Sequence, residues 1–297
     1  MTRRRLAACA FGGVSVAVLG SATLLVHAND SALSGVTVTT LAQGPVKALP
    51  PGKIFVNILE FRQLPGADFG PHAHIPAMVY TLQGTSTISF RGAPSRAVGP
   101  GQAAFIPAQA VHTHENLDGR LGATAIASGL IVAVVLLCVA TLMRGGARRL
   151  TVAVLSLLLI GGGALPLVGA TSNDYYLIAV RPTAQRALPM PRPDGRVGYS
   201  APDMDPVPVG PYLERLNMIT LPAGSRYAVP EAAGPQMLTV VQGNASVQVG
   251  SDTQQVGTGD GAFGQMGESI SITNPDTTVL RVLDFAVISV SAAPAAS

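Results

Sequence analysis

The feature that most limits what this chain can fold into is an internal repeat. Leu221-Pro-Ala-Gly224 echoes Leu64-Pro-Gly66, Val241-Gln-Gly243 echoes Leu82-Gln-Gly84, and Gly259 and Asn274 echo Gly101 and Asn116. Each mark lies 158 or 159 positions after its counterpart, so the second half copies the first with almost no drift. Between the marks of the first copy, short apolar-alternating runs (Ile54–Phe61, Ala77–Leu82, Ser86–Phe90 and Ala103–Ile106) read as strands, with Pro and Gly between them. Residues 212–290 alternate in the same way. The spacing implies an all-β chain holding two copies of one small barrel or sandwich.

The first copy carries chemistry that the second lacks. Of five histidines, four form two His-x-His pairs, His72/His74 and His112/His114. Residues two apart on a strand point to the same face, so each pair presents two imidazoles in one direction. Two such strands facing each other across a barrel would gather four imidazoles at one point, and neutral imidazole is a common transition-metal ligand. In the second copy the corresponding residues are Pro230, Ala232, Ile270 and Ile272, which would fill the same space as ordinary core.

These residues resemble the two motifs of the cupin superfamily. Gly66, His72, His74 and Gly84 follow Gly-x5-His-x-His-x(3,4)-Glu-x6-Gly at slightly short spacing, with Ala77 where the glutamate belongs. Gly101, Pro107, His112 and Asn116 follow Gly-x5-Pro-x-Gly-x2-His-x3-Asn, with Gln109 in place of the inner glycine. The resemblance implies two jelly-roll barrels and a metal site made by His72, His74 and His112, without the carboxylate ligand. His114 shares the face of His112 and is a candidate fourth ligand or proton-transfer base. Tyr80, Phe105 and Asn116 are candidates to line the pocket, Tyr80 and Phe105 alternatively serving as ordinary core and Asn116 stabilising the turn after its strand. The ligand set does not choose among iron, zinc, manganese, nickel and copper.

The rest of the chain suggests a membrane setting. Residues 1–28 join Arg3-Arg4-Arg5 to an apolar run ending Val26-His27-Ala28, the layout of a signal peptide cleaved after Ala28 or of an uncleaved signal anchor. Leu121–Met143 and Leu150–Ser172 contain no charge and flank Arg144-Gly-Gly-Ala-Arg148-Arg149. Each run is long enough to cross a bilayer core of about 30 Å, so residues 121–172 are expected to form a transmembrane helical hairpin. The positive-inside rule puts its basic turn in the cytoplasm of a bacterial-type membrane and both barrels on the outer side. Barrel 1 then spans 29–120 and, because no strand follows Asn116, is closed by strand 174–181 beyond the hairpin. Residues 182–211 read as a Pro-rich extended linker and residues 212–297 as barrel 2.

Charge narrows the partners. Six of the 19 basic residues flank the apolar runs, leaving 13 against 16 acidic residues in the soluble parts. No basic stripe with interleaved aromatics occurs, which argues against nucleic acid. The lipid bilayer, a small-molecule ligand or substrate, and a second copy in a homodimer are the partners the sequence admits. Three-histidine sites look like those of thiol dioxygenases, so an extracytoplasmic metal-dependent oxygenase or isomerase is one expectation. A non-catalytic binding or sensing module is the other.

Overall fold

The computed structural model describes residues 35–118, 170–190, 192, 194–232 and 234–290, with helical pieces between 127 and 158. The first half contributes β1 (Thr37–Val46), β2 (Ile54–Gln63), β3 (Asp68–His72), β4 (Ala77–Gln83), β5 (Ser86–Phe90), β6 (Arg96–Val98), β7 (Ala103–Ile106) and β8 (His112–Glu115). Then come β9 (Asn173–Pro182), β10 (Gly195–Ser200), β11 (Tyr212–Leu221), β12 (Arg226–Val229) and β13 (Gln236–Gln242). The chain ends with β14 (Asn244–Val249), β15 (Asp252–Gly257), β16 (Gly261–Gly264), β17 (Ile270–Thr273) and β18 (Leu280–Ser289).

These strands build two copies of one double-sheet unit. The first pairs a five-stranded sheet, β10-β2-β9-β4-β7, with a four-stranded sheet, β3-β8-β5-β6. The second repeats the order as β1-β11-β18-β13-β16 and β12-β17-β14-β15. Strand β9 lies between β2 and β4, so the strand beyond residues 121–172 sits at the centre of the first unit's larger sheet.

Two segments depart from the sequence reading. β1, placed by its position in barrel 1, pairs with β11 of the second unit. Residues 182–211, read as an extended linker, hold a 3₁₀ turn at Thr183–Gln185 and strand β10, which pairs with β2. The units therefore exchange edge strands, each covering the open edge of the other's sheet.

Three apolar clusters explain the burial pattern. Leu59, Phe61, Phe69, Val79, Ile88 and Tyr175 fill the first barrel, and Ile219, Leu238, Val247, Ile272 and Val282 fill the second. The third cluster draws on both units: Val56, Ile58, Met78, Tyr80, Tyr176 and Ile178 from one, Leu216, Met218, Met237, Leu283, Phe285 and Val287 from the other. The two five-stranded sheets thus pack against each other. With both faces covered, β2 is buried almost continuously and loses the polar alternation of a one-sided strand.

This layering corrects the expected pocket lining. Ala77, Val79 and Thr81 point inward on β4, and Ala104 and Ile106 do so on β7. Tyr80 and Phe105 occupy the opposite face, in the core between the barrels. Asn116 is fully buried but works in a turn: its Nδ2 donates to the carbonyls of Gln63 (3.1 Å) and Thr171 (2.9 Å), and its Oδ1 accepts from the Asp118 amide (3.1 Å). Thr171 Oγ1 donates to Asp118 Oδ2 at 2.7 Å, fastening the two ends of the segment between β8 and β9. Asn274 makes the equivalent turn in the second unit.

Of residues 121–172, those described are mainly helical, and among the described residues no helix is long and apolar enough to cross a membrane. Most of that run, and all of residues 1–28, lies outside the described residues.

Candidate metal centre

All four motif histidines come together, but not from strands facing each other across the barrel: β3 and β8 are neighbours in one sheet, His72 ends β3, His74 follows in the connection to β4, and His112 and His114 lie on β8. β3 pairs with β8 so that His72 lies opposite His112 and Phe69 opposite His114. One ligand nitrogen from each of His72, His74, His112 and His114 lies within 4.8 Å of the others. His112 is central, its ring 4.4 Å from that of His72, 4.7 Å from His74 and 5.0 Å from His114. His112 and His114 are buried, and the other two are half-buried.

Backbone carbonyls orient three of the rings. Nδ1 of His72 faces the Gly70 carbonyl at 2.9 Å, Nδ1 of His112 that of Ala110 at 2.8 Å, and Nδ1 of His74 that of Ile75. Donating from Nδ1 leaves Nε2 with its lone pair bare, the tautomer a metal needs. His114 is held differently: its ring stacks on Tyr175 (5.4 Å, 4° between planes), and Phe69 meets it edge-on at 6.2 Å.

The nitrogens fit an ion better than they fit each other. His112 Nε2 and His114 Nε2 stand 3.2 Å apart, near the edge of about 3.4 Å expected of a tetrahedron with metal–nitrogen bonds of about 2.1 Å. Buried His74 Nε2 lacks a hydrogen-bond partner among the described residues, as an open ligand position would; His114 Nδ1 is also without one, and an ion held at its Nε2 would not satisfy it. Ala77, where the cupin pattern has glutamate, faces inward without a ligand atom, while His114 supplies a further nitrogen from β8. The cluster is compatible with a transition metal.

Burial sets the protonation state. Desolvation lowers the pKa of His74 and His112, the latter to about 4, and holds His114 well below the ordinary value. Neighbouring imidazoles add to the effect. All three are therefore neutral near pH 7, as ligands must be. Below the unfolded value of about 6.5 the unfolded chain takes up a proton at His112 that the folded chain refuses until about pH 4. Stability present above pH 6.5 is thus lost across this window. The urea midpoint of metal-stripped protein is expected to fall from pH 6.5 to 4, less steeply in His112→Gln. A flat midpoint would contradict the burial argument.

A cavity of about 660 Å³ opens beside the cluster. Its walls include Phe61, Phe69, Tyr175 and Leu177, with Asn57, Gln109 and Arg181 among its polar members. Gln109 stands where the cupin motif has glycine and is the one non-glycine residue at positive φ (58°) among those described. Its amide donates to the His74 carbonyl at 2.8 Å, so the strained turn also positions a ligand side chain. Gln109→Gly is expected to stabilise the fold by about 1 kcal/mol, measured by urea denaturation, because glycine adopts this conformation freely.

Sequence reasoning missed Phe69, Tyr175, Asn57 and Arg181. Tyr175 and Arg181 were reachable in principle, since alternate residues of the closing strand must face inward. Phe69 and Asn57 carry no distinguishing signal.

Fold and site together define a pair of repeated double-sheet β units with a four-histidine cluster in the first. No protein-family model and no curated protein sequence matches the chain. Among solved structures, it is similar to AerE from Microcystis aeruginosa at 10% identity, covering 84% of this chain and 99% of that one, with a TM-score of 0.45. A Cupin 2 conserved barrel domain protein from Leptotrichia buccalis is 10% identical over 87% of this chain and 92% of its own, with a TM-score of 0.38. Oxalate decarboxylase from Bacillus subtilis, a protein with Mn(II) centers, is 10% identical over 90% and 80%, with a TM-score of 0.46.

Proposed function

We propose that this chain is a membrane-tethered, extracytoplasmic cupin-like protein that holds one divalent transition metal and acts on a small molecule as an oxygenase or isomerase. The observation that carries the metal reading is the convergence of four imidazoles, three fixed by carbonyls in the metal-binding tautomer. His72, His74, His112 and His114 would hold the ion. When bound, a divalent ion supplies Lewis acidity and, if redox-active, a site for oxygen chemistry. The chain's own residues orient the ligands, keep them neutral and wall part of the cavity with aromatic side chains.

The tether rests on the two uncharged runs around Arg144, Arg148 and Arg149 and on the basic N-terminus. A binding or sensing module is the second reading. It is favoured by the lack of Asp or Glu among the described cavity-lining residues, which leaves imidazole as the available acid–base group.

Elemental analysis of the full chain purified in detergent tests the metal, with about one ion per chain expected and a metal-free protein after reloading refuting it. Oxygen uptake across small thiols and flavonoids then separates enzyme from binder. Absence of turnover in a fully loaded protein favours the binder.

A further inference from the structure

We infer that the mouth of the histidine cavity is a subsite for a small carboxylate carrying a hydrogen-bond donor beside its carboxyl group, recognised by Arg181 and Asn57. This rests on reading the histidine cluster as the centre toward which the ligand extends.

Arg181 belongs to the cavity by strand parity. Tyr175, Leu177, Ala179 and Arg181 alternate along β9, and all four line the cavity. Tyr175 meets the His114 ring at one end, and at the other Arg181 lies close enough for its charge to act on His74. The guanidinium is half-buried. Its hydrogen-bond partner is the neutral Gln185 Oε1 at 3.1 Å, and it makes no ion pair among the described residues. Arg192, the other arginine of the cavity, is paired with Asp194 at 3.1 Å and lies over the Phe69 ring. A half-buried cation without a counter-ion carries part of the cost of desolvating a charge, and no carboxylate among the described cavity residues offsets it. An anionic ligand would.

Asn57 supplies the second half. It is 3% exposed, lines the cavity and sits on β2 opposite Ala179, beside the Phe55–Arg181 pair. Its Oδ1 has no hydrogen-bond partner among the described residues. A buried acceptor left unmet asks for a donor, and a ligand hydroxyl next to the carboxylate would meet it. Phe61, Tyr175, Leu177 and Leu188 offer an apolar wall for the body of such a ligand.

The second barrel provides a contrast within the same chain. Ile288 pairs with Leu213 there as Arg181 pairs with Phe55 here, and the second barrel's own inward arginine, Arg215, stands instead at the place of Asn57, where its charge acts on buried Asp284.

Isothermal titration of the full chain, zinc-loaded and chelator-treated, with phenylacetamide, phenylacetate and mandelate tests the proposal. Wild type is expected to prefer phenylacetate over the amide by about tenfold or more, and mandelate over phenylacetate. Arg181→Gln should remove the first preference and Asn57→Leu the second. Arg181→Lys should keep a reduced carboxylate preference, which separates lost charge from lost fold. Phenylacetate affinity within twofold of wild type in Arg181→Gln, or equal binding of acid and amide by wild type, overturns the subsite. Zinc per chain is measured in the same samples. Carboxylate selectivity without bound zinc upholds the subsite and removes the metal reading, whereas zinc bound without selectivity does the reverse.

Discussion

His112→Ala is expected to lower metal affinity by at least about 100-fold while leaving the barrels folded. Loss of a residue that merely orients a ligand typically costs 10- to 100-fold, so loss of a ligand at the centre of the cluster should cost no less. His112 is the ring closest to both His72 and His74, and its Nε2 faces that of His114. Alanine there removes a nitrogen that no nearby carboxylate can replace, since Ala77 occupies the place of the cupin glutamate. Folding is preserved because the second barrel, with Ile270 at the matching position, needs no imidazole. Competitive zinc titration against a chromogenic chelator, with circular dichroism as the fold control, checks both statements. Affinity within threefold of wild type would remove His112 from the site.

The histidine cluster was legible in outline because the sequence sets its members two apart, the spacing that shares one strand face; this holds for His112 and His114 on β8, whereas His74 lies beyond the end of β3 and is brought in by the connection to β4. Four of five histidines spaced that way, with apolar residues at the same positions of a second copy, left few arrangements. The repeat was legible for the same kind of reason: glycines at turns and asparagines at capping positions are fixed by backbone geometry. What the sequence hid is what packing between units decides. Tyr80 and Phe105 alternate as pocket residues would, but the sheet that carries them is covered on both faces. Apolar residues on its two sides therefore look the same. β1 and β10 were misread because edge exchange leaves no mark in composition, and β10 lies in a Pro-rich stretch whose local preferences suggest a linker. Arg181 carries no signal of its own in the sequence, because only the pairing of its strand with β2 and β4 decides which face is inside.

Phe285→Ala is expected to destabilise both barrels together by about 3–5 kcal/mol, the usual cost of emptying a buried phenylalanine site. Phe285 is fully buried on β18, between β11 and β13, and its side chain belongs to the cluster shared by the two five-stranded sheets. A cavity there strips contacts from a layer that supports β2, β4 and β9 from behind. Those strands carry Ala77, Tyr175 and Arg181 on their other face, so loosening should reach the histidine barrel although every histidine is intact. Ile272→Ala is the control. It empties a site of similar depth inside the second barrel, in a cluster drawn from that barrel apart from partly buried Val36 just before β1. Hydrogen–deuterium exchange separates the cases: in Phe285→Ala, peptides from β2, β9, β11 and β18 should lose protection together, whereas in Ile272→Ala peptides from β14 and β17 should lose it first. Unchanged protection of β2 and β9 in Phe285→Ala would mean that the barrels fold independently and that the shared layer is contact without coupling.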